Sequence, residues 1–324
     1  MSLDLNAFSR RRLLLAPLLA SAASSAHAST VEGESVELWP GGVPDAEQVT
    51  VRERITERAP EGSALRDRIA EHVRRPVLTL LPARRGEQPS GISVLIIPGG
   101  GYVRVAIDKE GLETATLLAD QGINCGVLRY RLPGDGWANG ADAPVIDALR
   151  ALRMLRASFG SPKTGVIGFS AGGHVAARLI TEFTRLSYPA RDAADALSSR
   201  ADFAALIYPV IAMSGEFSHR GSQDQLLAGG VPREQLARYT PANHVRPDTP
   251  PTLMVHAVDD TVVPLENSQM MFDALRKNKV SSELHLFAHG GHGFGLRGAG
   301  GTLSGWPALV QSWARNAAAE DILP

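Results

Sequence analysis

The chain has 324 residues, 44% hydrophobic and 21% charged, the composition of a globular protein with a substantial core. Lys and Arg number 33 against 34 Asp and Glu, a formal net charge of -1, so no charge excess points to nucleic acid or an acidic membrane surface as partner. The single cysteine, Cys125, excludes an intramolecular disulfide and a cysteine-based metal site, and its apolar neighbours predict a small buried residue in a strand.

At the amino terminus, Ser9-Arg10-Arg11-Arg12 precedes the apolar run Leu13 to Ala20, and Ala26-His27-Ala28 follows as a small-residue cleavage site. Basic, then apolar, then A-x-A is the order of an export signal, and the paired arginines resemble the twin-arginine type. The run is far short of the ~20 apolar residues a spanning helix needs. Residues 1–28 are therefore expected to be removed, leaving no stable membrane anchor and a periplasmic or secreted protein. Residues 29–75 are polar and irregular and read as an extension that leads into, or packs on, a catalytic domain over 76–324.

From residue 76 a regular rhythm begins. Strands are predicted at Val77–Leu81, Ile92–Ile97, Val127–Tyr130, Gly165–Phe169, Phe203–Tyr208, Leu253–His256 and Leu284–Phe287. Helices are predicted between them at Leu112–Ala119, Val145–Leu155, Gly172–Phe183 and Ser268–Leu275, with a closing helix over Trp306–Ala319. Unbroken apolar strands are buried on both faces, and strand–helix alternation over ~240 residues predicts a doubly wound, mostly parallel sheet. Ile211 to Pro251 breaks the rhythm with loop-like text. Inserted between two late strands, it is expected near the carboxyl ends of the sheet, either as part of a pocket or lid or as surface packing.

Chemistry concentrates in four places. Gly168-Phe169-Ser170-Ala171-Gly172 lies between a short apolar strand and a helix, the context that turns G-x-S-x-G into a strained turn with an exposed serine hydroxyl. Glycine is required on both sides because a β-carbon there would collide with neighbouring backbone. Pro98-Gly99-Gly100-Gly101-Tyr102 directly follows a buried strand. Glycine lets the main chain approach a tetrahedral oxyanion, so the amide of Gly100 or Gly101, together with that of Ala171, is the expected donor set. Neither spacing of a phosphate-cradling loop is present.

His292, in His289-Gly290-Gly291-His292-Gly293, is the expected base, preferred to His289 because glycines flank it on both sides. A metal site from His285, His289 and His292 would have no known ligand spacing, and no metal or cofactor is expected. A carboxylate to steady the histidine is expected after the strand ending near His256, where Asp259 and Asp260 are adjacent. Asp260 has the D-x-x-V-P spacing seen in related hydrolases; Asp259 is the alternative. Tyr102 and Trp137 are candidates to line an acyl or sugar pocket. Arg129 and Arg131 are expected in ion pairs at a strand end, and Glu266-Asn267-Ser268 is expected to cap the helix that follows.

Taken together, Pro98-Gly-Gly-Gly-Tyr102, Lys109-Glu110-Gly111, Leu128-Arg-Tyr-Arg-Leu-Pro133, Gly168-Phe-Ser-Ala-Gly-Gly-His174, the Asp259-Asp260 run with Val263-Pro264 and Glu266-Asn267-Ser268, and Gly290-Gly-His-Gly-Phe-Gly295 resemble the acetyl-esterase branch of the α/β-hydrolases, often labelled acetylxylan esterase-like or BD-FAE-like. The resemblance spans about residues 76 to 315. It implies an α/β-hydrolase fold with about eight strands and cofactor-free hydrolysis of acetyl or other short acyl esters, on small esters or on acetylated carbohydrate such as xylan. Two other readings stand beside it. A prolyl-oligopeptidase-like exopeptidase would share the Asp-Asp-x-Val-Val-Pro run, but such enzymes usually carry a large extra domain ahead of the hydrolase, and the residues between Thr30 and Arg75 are too few for one. A non-catalytic binding protein on the same scaffold predicts loss of a member of the serine–histidine–aspartate set, and none is lost.

Overall fold

The computed structural model describes residues 33–84 and 90–319; the expected export signal lies outside the described residues. Eight strands form the main sheet in the order β1-β4-β7-β5-β8-β9-β10-β11: β1 (Glu34–Glu37), β4 (Val77–Leu81), β7 (Asn124–Arg129), β5 (Ile92–Ile97), β8 (Lys163–Phe169), β9 (Ala204–Ile207), β10 (Thr252–Ala257) and β11 (Ser282–Phe287). From β7 to β11 every pairing is parallel, and β4 joins β7 antiparallel. Every residue of β5, β9 and β10 is buried, so the apolar runs that predicted these strands are runs because both faces are covered. Cys125 is fully buried in β7.

One face is packed by α2 (Ala143–Phe159), α3 (Ser170–Glu182) and α5 (Glu266–Lys277), through side chains such as Leu149, Val175 and Met271. The other is packed by α1 (Glu113–Ala119) and α6 (Trp306–Ala319), through Leu118, Trp306 and Trp313. This is the α/β-hydrolase fold.

Residues 33–75 are more ordered than their polar text suggests. β1 extends the main sheet by pairing antiparallel with β4, while β2 (Arg54–Glu57) and β3 (Arg68–Glu71) form a small separate sheet with β6 (Val105–Ala106). The strands escape a periodicity reading because each is only four residues long and β1 and β2 are mostly exposed. What ties the segment down is a buried polar cluster. Arg131 and Asp147 form an ion pair at 2.8 Å with both side chains fully buried, Trp39 Nε1 donates to Asp147 Oδ1 at 2.8 Å, and Arg131 Nη1 donates to the Pro44 carbonyl at 2.9 Å. Arg129 pairs with Glu53 at 3.2 Å, so both strand-end arginines make the ion pairs expected of them.

The expected cap of α5 is not one. Its amino-terminal residues make no side-chain capping bond, because Asn267 and Ser268 are spent elsewhere. Asn267 Oδ1 accepts from the amides of Ile211 and Ala212, both at 2.8 Å, and its Nδ2 donates to the Phe217 and Pro264 carbonyls. Ser268 Oγ bonds His256. The asparagine thereby anchors the 211–251 insertion, which contains α4 (Arg220–Ala228) and short 3-10 turns rather than open loop.

Removing one partner of a buried ion pair leaves the other charge uncompensated, at a cost of about 3–5 kcal/mol. Asp147→Ala is therefore expected to lower unfolding free energy by about that amount in urea titrations, loosening residues 33–75 first; a loss under ~1 kcal/mol would show that the pair does not hold the segment.

Candidate active site

The serine sits where β8 turns into α3. Ser170 has φ of 52°, in the left-handed region that costs a residue with a β-carbon about 1–3 kcal/mol and survives only where the surroundings dictate it. The flanking glycines show what does so. A β-carbon at Gly168 would lie 2.5 Å from the Gly172 carbonyl oxygen, and one at Gly172 would lie 2.2 Å from the Ile97 carbonyl oxygen. The first turn of α3 is thus pressed against the end of β5. Two more residues past the ends of neighbouring strands share the strain: Tyr102 beyond β5, φ 64°, and Tyr208 beyond β9, φ 38°.

Ser170 Oγ and His292 Nε2 are 2.8 Å apart, and His292 Nδ1 and Asp260 Oδ2 are 2.7 Å apart. A carboxylate can only accept, so Nδ1 carries the imidazole proton and Nε2 accepts from the serine hydroxyl. Asp260 Oδ1 accepts from the amides of Val262 and Val263, both at 2.9 Å. His256 Nε2 donates to the Val263 carbonyl at 2.9 Å and stands 3.3 Å from Asp260 Oδ2. Burial opposes charge on Asp260, but hydrogen bonds from His256 and His292, the charge of His292 and the Val263 amide outweigh it and hold the carboxyl well below the usual carboxylate range.

Asp259 and His289 point elsewhere. Asp259 accepts from the Gly291 amide at 2.7 Å and lies 3.4 Å from His289 Nδ1; the His289 side chain is 90% exposed. His285 bonds Glu283 instead, and among the described residues no cluster of three His, Cys, Asp or Glu side chains is arranged to hold a metal.

The glycine turn lies against the serine. A β-carbon at Gly99 would fall 2.8 Å from Ser170 Cβ, and Gly100 and Gly101 have φ of 132° and 65°. The amides of Gly100 and Gly101 have no acceptor among the described residues, and Ala171, the second residue of α3, has no intrahelical acceptor for its N–H. Three unspent donors on glycine backbone and a helix amino terminus can receive negative charge that develops on an acyl oxygen.

Two expected pocket residues are not there. The Tyr102 ring is 1% exposed and its hydroxyl donates to His174 Nδ1 at 2.6 Å; His174 Nε2 in turn donates to the Tyr239 carbonyl at 2.7 Å. Tyr102 ties the glycine turn to α3 through His174 instead of lining a pocket. Trp137 is buried beside Val49 and Ala143, with the Arg131 guanidinium 5.1 Å over its ring. Adjacency to a motif placed these aromatics near the site, but rotamer and packing took both rings inward.

Residues from outside the motifs take part. His219, on the insertion, has its Cε1 4.0 Å from where a Gly101 β-carbon would stand. The Ser222 amide donates to its Nδ1, so its proton is on Nε2, and burial followed by the charge of His292 lowers its pKa and keeps it neutral. Glu110 Oε2 accepts from the Gly99 amide at 2.7 Å, and Tyr208, which donates to Glu110 Oε1 at 3.0 Å, packs its ring 5.1 Å from the His292 ring. Neither carries a catalytic signal in isolated sequence: His219 sits in loop-like text, and Glu110 stands out only within the Lys109-Glu110-Gly111 segment of the resemblance.

The sequence profile of the prolyl oligopeptidase family matches residues 135–318, more than half of the chain. The chain belongs to that family. The prolyl oligopeptidase match includes Ser170, Asp260 and His292, while the Gly99–Gly101 turn and Glu110 lie ahead of it. Among solved structures, the chain is similar to an acetyl ester-xyloside bifunctional hydrolase from Caldicellulosiruptor lactoaceticus, 30% identical with a TM-score of 0.70, covering 88% of this chain and 96% of that one. It shares its fold with the carboxylesterase Cest-2923 of Lactobacillus plantarum, 21% identical with a TM-score of 0.61 over 81% of this chain and 97% of that one. It is also 32% identical over 220 residues to an acetylxylan esterase of Xylanibacter ruminicola and 33% identical over 205 residues to endo-1,4-beta-xylanase B of Butyrivibrio fibrisolvens. These alignments cover 65% and 62% of this chain but only 42% and 32% of those proteins.

His174 gives the site a pH signature in stability. Burial, then the Arg178 charge, lowers its pKa from the ordinary 6.5 to about 3. The unfolded chain takes up that proton below pH 6.5 and the folded chain only near 3, so stability falls as pH falls through this window, at up to about 1.4 kcal/mol per pH unit. Urea unfolding from pH 7 to 4.5 should show this slope, and His174→Gln should flatten it; an unchanged slope would mean that His174 is not held neutral.

Proposed function

We propose that the chain is a serine carboxylic ester hydrolase that removes acetyl or other short acyl groups, with carbohydrate of the xylan type as the alcohol portion of its substrates. The observation that carries the reaction is the unbroken hydrogen-bonded line from Ser170 through His292 to Asp260, facing the unspent amides of Gly100, Gly101 and Ala171.

In this reading Ser170 Oγ attacks the acyl carbon while its proton passes to His292 Nε2. The carbonyl oxygen becomes an oxyanion held by the three amides, and Asp260 stabilises the imidazolium. As the tetrahedral adduct collapses, the alkoxide leaves with the proton from Nε2 and the acetyl group stays on Ser170. Water then enters and gives a proton to His292 as its oxygen attacks the acyl carbon; collapse of this second adduct breaks the bond to Ser170, returns the proton from Nε2 to Oγ and releases acetate. No step needs a cofactor.

The substrate class is supported by likeness to a hydrolase named for acetyl esters and xylosides and to an acetylxylan esterase. His219, neutral and beside the glycine turn, offers a hydrogen-bonding edge suited to a hydroxylated alcohol such as a sugar. The twin-arginine text at residues 9–12 supports export to the periplasm or the exterior, where polysaccharide esters occur.

Purified protein given p-nitrophenyl acetate, acetylated xylan and an aminoacyl-p-nitroanilide should release p-nitrophenol and acetate but no nitroaniline. Nitroaniline as the dominant product would replace the esterase reading with a peptidase one. Ser170→Ala is expected to lower kcat about 10^6-fold and Asp260→Asn about 10^4-fold, with Asp259→Asn within a few-fold of the parent. An Asp259 variant as damaged as the Asp260 one would break the assignment of the acid.

A further inference from the structure

Lys109-Glu110-Gly111 has no part in the line from Ser170 to Asp260, yet its carboxylate is the buried acid that touches both halves of the site. Glu110 sits in the wide helical turn Ile107–Leu112 and is 6% exposed. Gly111 makes room for that turn: a β-carbon there would fall 2.7 Å from Val127 Cγ1. Glu110 Oε2 accepts from the Gly99 amide at 2.7 Å, and Gly99 is the residue wedged between Glu110 and the nucleophile, since a β-carbon on it would be 2.9 Å from Oε2 and 2.8 Å from Ser170 Cβ. Glu110 Oε1 accepts from the Tyr208 hydroxyl at 3.0 Å, and that hydroxyl accepts from the Gly295 amide at 3.2 Å. Gly295 closes the loop that carries His292, and the Tyr208 ring packs 5.1 Å from the imidazole and 4.4 Å from Phe294.

Both carboxylate oxygens therefore meet donors, one from the oxyanion turn and one from the tyrosine that reaches the histidine loop. A backbone amide cannot reverse its role, so Oε2 must accept from Gly99, whereas the Tyr208 hydroxyl can donate to Oε1 or accept from it; the carboxyl is bonded at both ends in either protonation state. Burial raises the Glu110 carboxyl pKa above its ordinary value, and the Gly99 amide, the Tyr208 hydroxyl and the charges of His292 and Lys109 offset that only in part.

We infer that Glu110 is a positioning residue for the reaction: through Gly99 it fixes the oxyanion turn, and through Tyr208 it fixes the His292 loop, so that donors and base are registered to one another across Ser170. The inference rests on the esterase reading above. Its cost should appear in the transition state, where turn and imidazole act together, and not in ground-state binding.

The test uses the whole protein and p-nitrophenyl acetate. Activity in the parent that is absent from Ser170→Ala establishes the esterase reading independently; its failure there would be a failure of that reading and not of this one. Glu110→Gln, which can keep the Gly99 bond only by turning its NH2 to the Tyr208 hydroxyl and so reversing that bond, is then expected to lower kcat about 10- to 100-fold with KM within threefold, the size of effect that small misplacement of reacting groups produces. Tyr208→Phe, which removes one oxygen and keeps the ring, should lower kcat about 10-fold with KM again little changed, and the double variant should lose less than the two single losses multiplied together. A folded Glu110→Gln protein with kcat within twofold of the parent overturns the proposal. If Glu110→Gln does not fold, Tyr208→Phe decides, because parental kcat in that variant cuts the link to the histidine loop and overturns the proposal equally.

Discussion

The hydrogen bond between Asp260 and His292 is the contact on which the rest of the site depends. It dictates that Nδ1 holds the imidazole proton, and only then does Nε2 present a lone pair to Ser170. Asp260 can do this because its own environment is settled first. The Val262 and Val263 amides take one oxygen and His256 approaches the other, so a carboxylate whose side chain is fully buried stays ionised against the cost of burial. His256 is itself fixed by Ser268 from α5 and by the Val263 carbonyl. The acid is therefore part of a packed polar cluster whose geometry does not wait for substrate.

The same logic recurs on the other side of the serine. Strain at Tyr102, Ser170 and Tyr208 falls at the carboxyl ends of three adjacent strands, where the sheet hands over to loops. Each strained residue is over-determined by a buried partner: Tyr102 by His174, Tyr208 by Glu110, and Ser170 by backbone contacts that leave no space for side chains at Gly168 and Gly172. Such conformations persist only where surroundings fix them, and at Tyr102 and Tyr208 the fixing groups are polar and fully bonded, which specifies geometry more sharply than apolar contact does.

Sequence carried most of the fold because a parallel sheet buries both faces of its strands and so writes them as apolar runs; β5, β9 and β10 are legible for that reason. It carried Ser170, His292 and the glycine turn because backbone that must approach closely demands glycine at particular positions. It was silent where one face or one contact decides. Four-residue strands such as β1 and β2 at sheet margins leave too little pattern to read. Neighbouring aspartates are equivalent as text, and only the direction of the side chains separates Asp260, which meets His292, from Asp259, which holds the Gly291 amide. Tyr102 and Trp137 were misplaced because proximity in sequence does not tell which way a ring turns. Asn267 read as a helix cap since it stands at a helix start, whereas its amide is the clasp for backbone over fifty residues away. A buried polar residue working across such distances leaves no local signature.

Those long-range clasps also bound what the insertion can do. Asn267 holds its beginning at Ile211 and Ala212, and His174 holds its far part at the Tyr239 carbonyl. Thr240 Oγ1 accepts from the Met213 amide and closes the two ends on each other. Asn267 follows the Asp260 loop and His174 follows Ser170, so the segment is bolted to the same elements that carry Asp260 and Ser170. Residues between the clasps, His219 among them, are fixed at their base but need not transmit change downward. Substitutions within 218–238 are thus placed to alter what lies beside the glycine turn while leaving the Ser170–His292–Asp260 line intact. In an esterase of the kind proposed, alcohol preference and acyl-transfer chemistry would be separable on that physical ground: one belongs to a loop held at two points, the other to the sheet that holds it.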